Sequence, residues 1–129
     1  MGTNNMVFCF GSNLAGIHGA GAARFARMEH GAIPGVGEGM TGNCYAIPTK
    51  DHRIQTLPLE EVKKHIELFI SYAHYDPEMT FQVTRIGCGL AGFKDREIAP
   101  LFKDAPKNCQ FDAAWYPYLG AKYIYWGTW

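Results

Sequence analysis

The feature that most constrains the fold is the stretch VFCFGSNLAGIHGAGAAR, residues 7–24. Residues 6–10 are short, apolar and aromatic, which predicts a strand buried on both faces. Residues 11–21 are mostly small and predict a loop, and residues 22–29 predict a helix. The strand is therefore joined to the helix by residues that carry almost no side chain.

Strands and helices alternate along the rest of the chain. The clearest helix is Leu59–Tyr75, whose apolar residues form one stripe. We expect Thr56 to cap it and Pro58 to occupy its first turn. Residues 31–42, with five glycines and one proline, predict an irregular segment. Further strands are predicted at 44–48, 80–86 and 122–126, and further helices at 95–103 and 111–115. This alternation predicts an α/β layered fold with a largely parallel sheet.

Composition limits the classes of protein that fit. At 129 residues the chain is expected to form one domain, residues 1–129, and 47% hydrophobic residues are enough for a core. Twelve basic and twelve acidic residues balance. This balance argues against a protein that binds nucleic acid mainly by neutralising phosphates, although it is compatible with a local basic pocket.

Targeting signals and metal motifs are not found in the sequence. The N-terminus MGTNNM has neither a basic region nor a long apolar run, and no stretch reaches the roughly 20 apolar residues of a membrane helix. The four cysteines form no C-x-x-C pair and no zinc pattern. We expect a cytoplasmic protein with reduced thiols, no membrane segment, no metal and no cofactor, and leave the oligomeric state open.

Three predicted loops, at residues 11–21, 49–56 and 87–93, each follow a predicted strand. Because ligands of parallel sheets bind beyond the carboxyl ends of the strands, we expect these loops to meet at one rim. In the first loop, bare backbone N–H groups beside a helix start suit an anion, and a tight packing turn explains the glycines equally well. The loop matches neither the Walker nor the Rossmann glycine pattern. Asn13 slightly favours a ligand, since an amide can hold a ribose or a carbonyl.

Four side chains in these loops are candidates for chemistry. His18 fits a solvated loop histidine better than a catalytic one. Cys88, between two glycines, fits a small buried residue better than a nucleophile. Lys50 and Asp51 fit a solvated charge cluster. The alternative is that a desolvated Lys50 amine attacks an anomeric carbon as a Schiff-base nucleophile.

Taken together, the motifs FGSN-x-x-G-x-H-GAGAA, YAIPTKD and IGCGLAGF resemble the macrodomain family. The resemblance is strongest to the small macrodomain-like proteins of phages and bacteria. The order of motifs between Tyr45 and Phe102 is similar to the branch that removes terminal ADP-ribose with a lysine, and to the ADP-ribose-1″-phosphate phosphatases. The resemblance covers about residues 7–102, and NCQFDAAW and YLG nearer the C-terminus fit the same small group.

The resemblance implies a three-layer α/β/α fold with a mixed, largely parallel sheet and an ADP-ribose-like ligand across the strand ends. Asn13 would then face the distal ribose, and Lys50 would form the covalent sugar adduct. The ligand-binding residues that it implies are Gly11, Ser12, Asn13, Gly19, Ala20, Gly21, Gly87, Cys88, Gly89, Leu90, Ala91, Gly92 and Phe93.

One departure from the family pattern bears on activity. The lysine-dependent branch has an aspartate directly after GCGL, where this chain has Ala91. Asp51, Asp95 and His18 are candidates to replace that acid. The expected function is a hydrolase that removes ADP-ribose from a modified protein or nucleic acid, or phosphate from ADP-ribose-1″-phosphate. Its catalytic candidates are Lys50, Asp51 and His18.

Two alternatives to a hydrolase stay open. One is a non-catalytic module that sequesters ADP-ribose or a related NAD-derived nucleotide, and the other is a purely structural protein. The aromatic residues Trp115, Tyr118, Trp126 and Trp129 also allow two interpretations, of which core packing or a dimer contact is favoured over stacking on an adenine.

Overall fold

The computed structural model describes residues 5–129. Residues 1–4, which contain most of the segment assessed for a targeting signal, lie outside this range. One six-stranded sheet has the order β2-β3-β1-β4-β5-β6. All neighbouring strands are parallel except β2 and β3, which are antiparallel. The strands are β1 Met6–Asn13, β2 Gly39–Thr41, β3 Cys44–Lys50, β4 Thr80–Val83, β5 Cys109–Asp112 and β6 Tyr125–Gly127.

Helices lie on both faces of this sheet. They are α1 Gly21–His30, α2 Leu59–Tyr75, α3 Asp95–Ile98 and α4 Tyr116–Leu119, with 3-10 helices at Ala99–Phe102 and Ala113–Trp115. Because side chains alternate along a strand, β1 contributes residues to two separate apolar clusters, one on each face of the sheet. Phe8 and Phe10 pack with α1 on one face, whereas Val7 and Cys9 pack with α2 on the other. The α/β fold with a largely parallel sheet is confirmed.

The order of connections creates a crevice beside β1. The chain passes from β1 through α1 to β3 on one side, and from β3 through α2 to β4 on the other side of β1. The connections therefore leave in opposite directions next to β1. In parallel sheets, ligands bind at such a point, beyond the carboxyl ends of the strands.

Helix α2 has the predicted bounds, but its predicted capping is wrong. The N-cap residue is Pro58, which receives no side-chain cap. The Thr56 hydroxyl instead donates to the carbonyl oxygen of Ala91 at 2.9 Å. Thr56 therefore ties the loop before α2 to the glycine loop after β4.

Several other predicted strand and helix bounds are wrong, because hydrogen bonds to strands distant in sequence determine where these elements begin and end. Residues 11–13, predicted as loop, continue β1 by pairing with β3. Residues 111 and 112, predicted as helical, belong to β5, and only Ala113–Trp115 is helical. The segment 31–42, predicted to be irregular throughout, contains the edge strand β2. Strand β4 ends at Val83, and the last strand, predicted at 122–126, is Tyr125–Gly127.

The cysteines are unpaired, and the helices are those of a chain without a membrane-crossing helix in its described part. All four cysteines lie in the described part of the chain, and none of them is in a disulfide. Across residues 5–129, no helix combines the length and the apolar character needed to cross a membrane.

Candidate functional site

A cavity of about 450 Å³ lies at the carboxyl ends of β1, β3 and β4. The three predicted loops therefore do meet at one rim, together with the N-terminus of α1. The cavity is lined by Gly11, Ser12, Asn13, Ile17, Gly19, Ala20, Gly21, Ala22, Ala23, Thr49, Lys50, Ile54, Thr84, Arg85, Gly87, Cys88, Gly89, Leu90, Ala91 and Trp129.

The floor of the cavity is formed by the last residues of β1 and β3. Asn13 pairs with Lys50 in the sheet, after a shift in register. The Asn13 amide group is used within its own loop, because it donates to the Ile17 carbonyl oxygen at 2.8 Å and accepts the Ile17 N–H at 3.0 Å. Asn13 thus shapes the loop and still lines the cavity.

The first glycine loop places bare backbone against the cavity. A methyl group built on Gly19 would meet no atom within 4 Å, so this position is open. The N-cap of α1 is Ala20, and no side chain caps the helix. Because the first N–H groups of a helix have no partner within the helix, they are available to an acceptor in the cavity.

The second glycine loop closes on itself through backbone hydrogen bonds. The Cys88 N–H donates to the Arg85 carbonyl oxygen at 3.0 Å, and the Phe93 N–H to that of Gly87 at 2.9 Å. Gly87 has a φ of +76°, which favours glycine. A methyl group on Gly21 would lie 3.9 Å from the Leu90 side chain. The two glycine loops therefore face each other across the cavity.

Cys88 lines the cavity as a neutral thiol. Burial, followed by the carboxylate of Asp95, raises its pKa to about 12. Since the thiolate is the nucleophilic form, this environment favours the interpretation of Cys88 as a small packing residue.

The charged groups of the cavity are cations. Lys50 and Arg85 line it, whereas no aspartate, glutamate or histidine within residues 5–129 does. The backbone oxygen of Lys50 accepts the Leu14 N–H at 2.9 Å, which fixes the lysine at the cavity floor. The described residues offer its amine no hydrogen-bond partner. An anionic ligand is favoured by this arrangement.

Two of the three catalytic candidates do not line the cavity. The His18 side chain is buried, with Nε2 3.1 Å from the Val36 carbonyl oxygen and its ring edge-on to Phe10 at 5.3 Å. The Asp51 carboxylate accepts the N–H groups of Arg53 at 2.8 Å and Gln55 at 3.0 Å.

Both candidates are thus engaged in local structure. The bond from Gln55 is the main cause that lowers the pKa of Asp51. Burial lowers the pKa of His18. Only Lys50 of the three is placed where a ligand could touch it.

Four further candidate residues differ in their relation to the cavity. Gly92 and Phe93 lie outside the cavity lining, and the Ala91 carbonyl oxygen is bound by Thr56. Asp95, a candidate acid, holds Arg85 and the indole of Trp115. The bond from Arg85 is the main cause that lowers its pKa, so Asp95 is a poor proton donor.

Eight lining residues were missed by the sequence reasoning, and Arg85 and Trp129 are the two of them whose side chains bear on ligand chemistry. Arg85 is the next-to-last residue of the predicted strand TFQVTRI, and a lone cation near the end of that strand was the available signal. For Trp129, core packing or a dimer contact was favoured over stacking on an adenine, yet the residue is 49% exposed and lines the cavity. The backbone N–H of Trp129 donates to Asp112 Oδ2 at 3.2 Å, and its ring centroid lies 5.6 Å from that of Phe25 in an edge-on contact. Trp115, in contrast, is fully buried in the core, as predicted.

Comparisons were made with known protein families, with curated proteins and with solved structures. None of the three found a match.

Proposed function

We propose that this protein binds ADP-ribose, or a related NAD-derived nucleotide, in the cavity at the strand ends. The proposal includes a macrodomain-like, three-layer α/β/α fold. One observation carries it: two glycine loops and two cations surround one cavity beside β1, and no described carboxylate lines it. A nucleotide with a diphosphate fits such a site, because backbone N–H groups, cations and a crevice at the strand ends all favour its phosphates.

The dimensions and chemistry of the cavity support this ligand. Its volume of about 450 Å³ lies within the range of small-molecule sites. The open backbone at Gly19 and Gly89 lets phosphate oxygens approach without meeting a side chain. The exposed indole of Trp129 offers an aromatic surface to a base, while Lys50 and Arg85 offer charge to phosphates.

Hydrolysis is the second candidate function, and Lys50 is the observation that favours it. A neutral Lys50 amine that attacks the anomeric carbon would form a C–N bond as the C–O bond to the leaving group breaks. The leaving oxygen then needs a proton. Neither Asp51 nor His18 lines the cavity to supply one. Binding is therefore the first proposal, with an ADP-ribosylated protein or nucleic acid as the source of the ligand.

Calorimetry with free ADP-ribose tests the binding proposal. Gly19→Leu is designed to fill the cavity, since Gly19 has no neighbour within 4 Å and no positive φ. We expect its affinity to fall by roughly tenfold or more, about 1.4 kcal/mol, with the melting temperature nearly unchanged. Ala121→Leu, at an exposed position outside the cavity, is the matched control and should bind like the unmodified protein. Equal affinity in all three proteins would contradict the proposed site.

Incubation with ADP-ribosylated protein, ADP-ribosylated DNA and ADP-ribose-1″-phosphate tests the second candidate. Product that disappears in Lys50→Ala, with retained affinity for ADP-ribose, would support hydrolysis through Lys50. Tight binding with no product from any of these substrates would leave binding as the function.

A further inference from the structure

Arg85 lines the cavity, and its side chain is the last member of a series of hydrogen-bonded side chains that begins in the core. Its Nε donates to Asp95 Oδ1 at 2.9 Å, and its Nη2 donates to Asp95 Oδ2 at 2.7 Å. One edge of the guanidinium is thereby held in a two-point contact. No described residue takes the other edge, whose N–H groups are free for an acceptor.

Asp95 is itself fixed by a buried group. The Trp115 indole is fully buried, and its Nε1 donates to Asp95 Oδ1 at 2.7 Å. Because a buried indole N–H needs an acceptor, this bond sets the place of the carboxylate. The carboxylate then sets the plane of the guanidinium. The order of the chain from core to cavity is Trp115, Asp95, Arg85.

An ordinary surface ion pair does not account for this arrangement. Exposed ion pairs contribute little to stability, and Arg85 is an exposed residue. The pair joins the segment directly after β4 to α3. It lies at the start of the glycine loop, since the Arg85 carbonyl oxygen also accepts the Cys88 N–H at 3.0 Å. A held guanidinium beside that loop has lost its rotamer freedom before a ligand arrives, which lowers the cost of binding.

We propose that Arg85 is the residue that selects a diphosphate in this cavity, and that Asp95, anchored by Trp115, is its positioning residue. This proposal rests on the proposed function and names the ligand group that Arg85 recognises. The free edge of the guanidinium presents paired N–H donors, which match two phosphate oxygens better than an ammonium does. Lys50, across the cavity floor, supplies charge without that geometry.

Affinity measurements on a small set of variants test this assignment, with ADP-ribose and inorganic pyrophosphate as probes. We expect Arg85→Gln to weaken both ligands by about tenfold or more, and Arg85→Lys to restore little of the loss. Arg96→Gln removes an exposed arginine of α3 that does not line the cavity, and should leave both affinities unchanged. A thermal melt of each variant shows that it is folded.

The positioning role of Asp95 is tested by combining substitutions. Asp95→Asn should weaken ADP-ribose several-fold in the unmodified protein and have no effect in Arg85→Gln, because the carboxylate acts through the guanidinium. Binding should also become less salt-dependent in Arg85→Gln. The positioning role would be overturned if Asp95→Asn lowered the affinity by the same factor in both backgrounds. It would also be overturned if Asp95→Asn alone made binding tighter.

The outcomes separate this inference from the proposed function. If the unmodified protein binds ADP-ribose and Arg85→Gln binds it with unchanged affinity, the role of Arg85 is overturned and the proposed function is not. Arg85-dependent binding of pyrophosphate without binding of ADP-ribose would overturn the proposed function and support the role of Arg85. Binding of neither probe would overturn both.

Discussion

His18 is a buried residue that connects the first loop to its neighbouring segments. Its Nε2 donates to the Val36 carbonyl oxygen, since a carbonyl can only accept, and its ring packs on Phe10 of β1. The residue therefore connects the first loop, the segment before β2 and the central strand. Burial is the main cause that lowers its pKa, so the folded protein favours the neutral ring.

This burial predicts a pH dependence of stability. Between the usual histidine pKa of 6.5 and the lowered value in the folded protein, the unfolded chain binds more protons. The free energy of unfolding should therefore fall as the pH falls below about 6.5, and this loss should level off below the folded pKa. Denaturant titrations at about pH 7.5 and 5.5 measure the fall. The decrease in unfolding free energy should be smaller in His18→Asn than in the unmodified protein. Equal decreases in the two proteins would contradict this account.

Lys50 and Asp51 are adjacent in sequence but have different surroundings in the structure. The sequence placed both after a buried strand and made both candidates for chemistry. In the structure, Lys50 still belongs to β3 and lines the cavity, whereas Asp51 begins a turn and accepts two of its N–H groups. Neighbouring residues differ in direction and backbone contacts, so residue type and order alone do not assign both to one site.

The first loop and the segment before β2 are in close backbone contact at Gly16. The Gly35 N–H donates to the Gly16 carbonyl oxygen at 2.9 Å. A methyl group on Gly16 would lie 2.3 Å from a Gly35 backbone atom, and the φ of Gly16 is +70°. Both backbone conformation and contact therefore require glycine here.

A pair of alanine substitutions tests this contact between segments. Gly16→Ala should lower the free energy of unfolding by roughly 3 kcal/mol or more, because strain and overlap with backbone add. Gly19→Ala, in the same loop but in open space without a positive φ, should change it by less than about 1 kcal/mol. Chemical denaturation of both variants measures the difference. Similar values for the two would show that the segments do not pack as described.

Elements were predictable where many residues repeat one pattern. Helix α2 was predicted with its bounds because its apolar stripe extends over 17 residues. Strand β5 has four residues and β2 three, too few to show a period. Their assignment depends on pairing with β4 and with β3, which are distant in sequence. The short strands were therefore missed or partly assigned to a helix.

At the scale of the whole molecule, the last residues of the chain return to the cavity through Asp112. This aspartate is fully buried and accepts hydrogen bonds from the Ala114 N–H, the Thr128 hydroxyl and the Trp129 N–H. It thus joins the end of β5 to the segment after β6. Trp129 lines the cavity because this connection holds its backbone.

Replacing Asp112 should affect both stability and binding. Asp112→Ala leaves these donors without their acceptor, which should cost about 2–3 kcal/mol of unfolding free energy. It should also weaken ADP-ribose, since Trp129 is released. Asp104→Ala, at an exposed aspartate, is the control and should change neither. Denaturation and calorimetry together measure the two effects. Loss of stability with unchanged affinity would show that Trp129 does not contact the ligand.

The site was predictable in its backbone and less so in its side chains. The glycine loops and Lys50 follow predicted strands, and topology brings strand ends together, so their meeting at one rim could be predicted. Arg85 and Trp129 belong to the cavity through contacts with Asp95 and Asp112, which no local pattern reveals.

The most direct test of the central claim is an NMR titration of the amide-labelled protein with ADP-ribose. We predict saturable shifts that concentrate at residues 11–13, 19–23, 49–50, 84–85 and 87–91, because these residues line the cavity. Amides on the exposed side of α2, such as Lys63 and Lys64, should not move. Absence of shifts, or shifts centred on α2, would contradict the account.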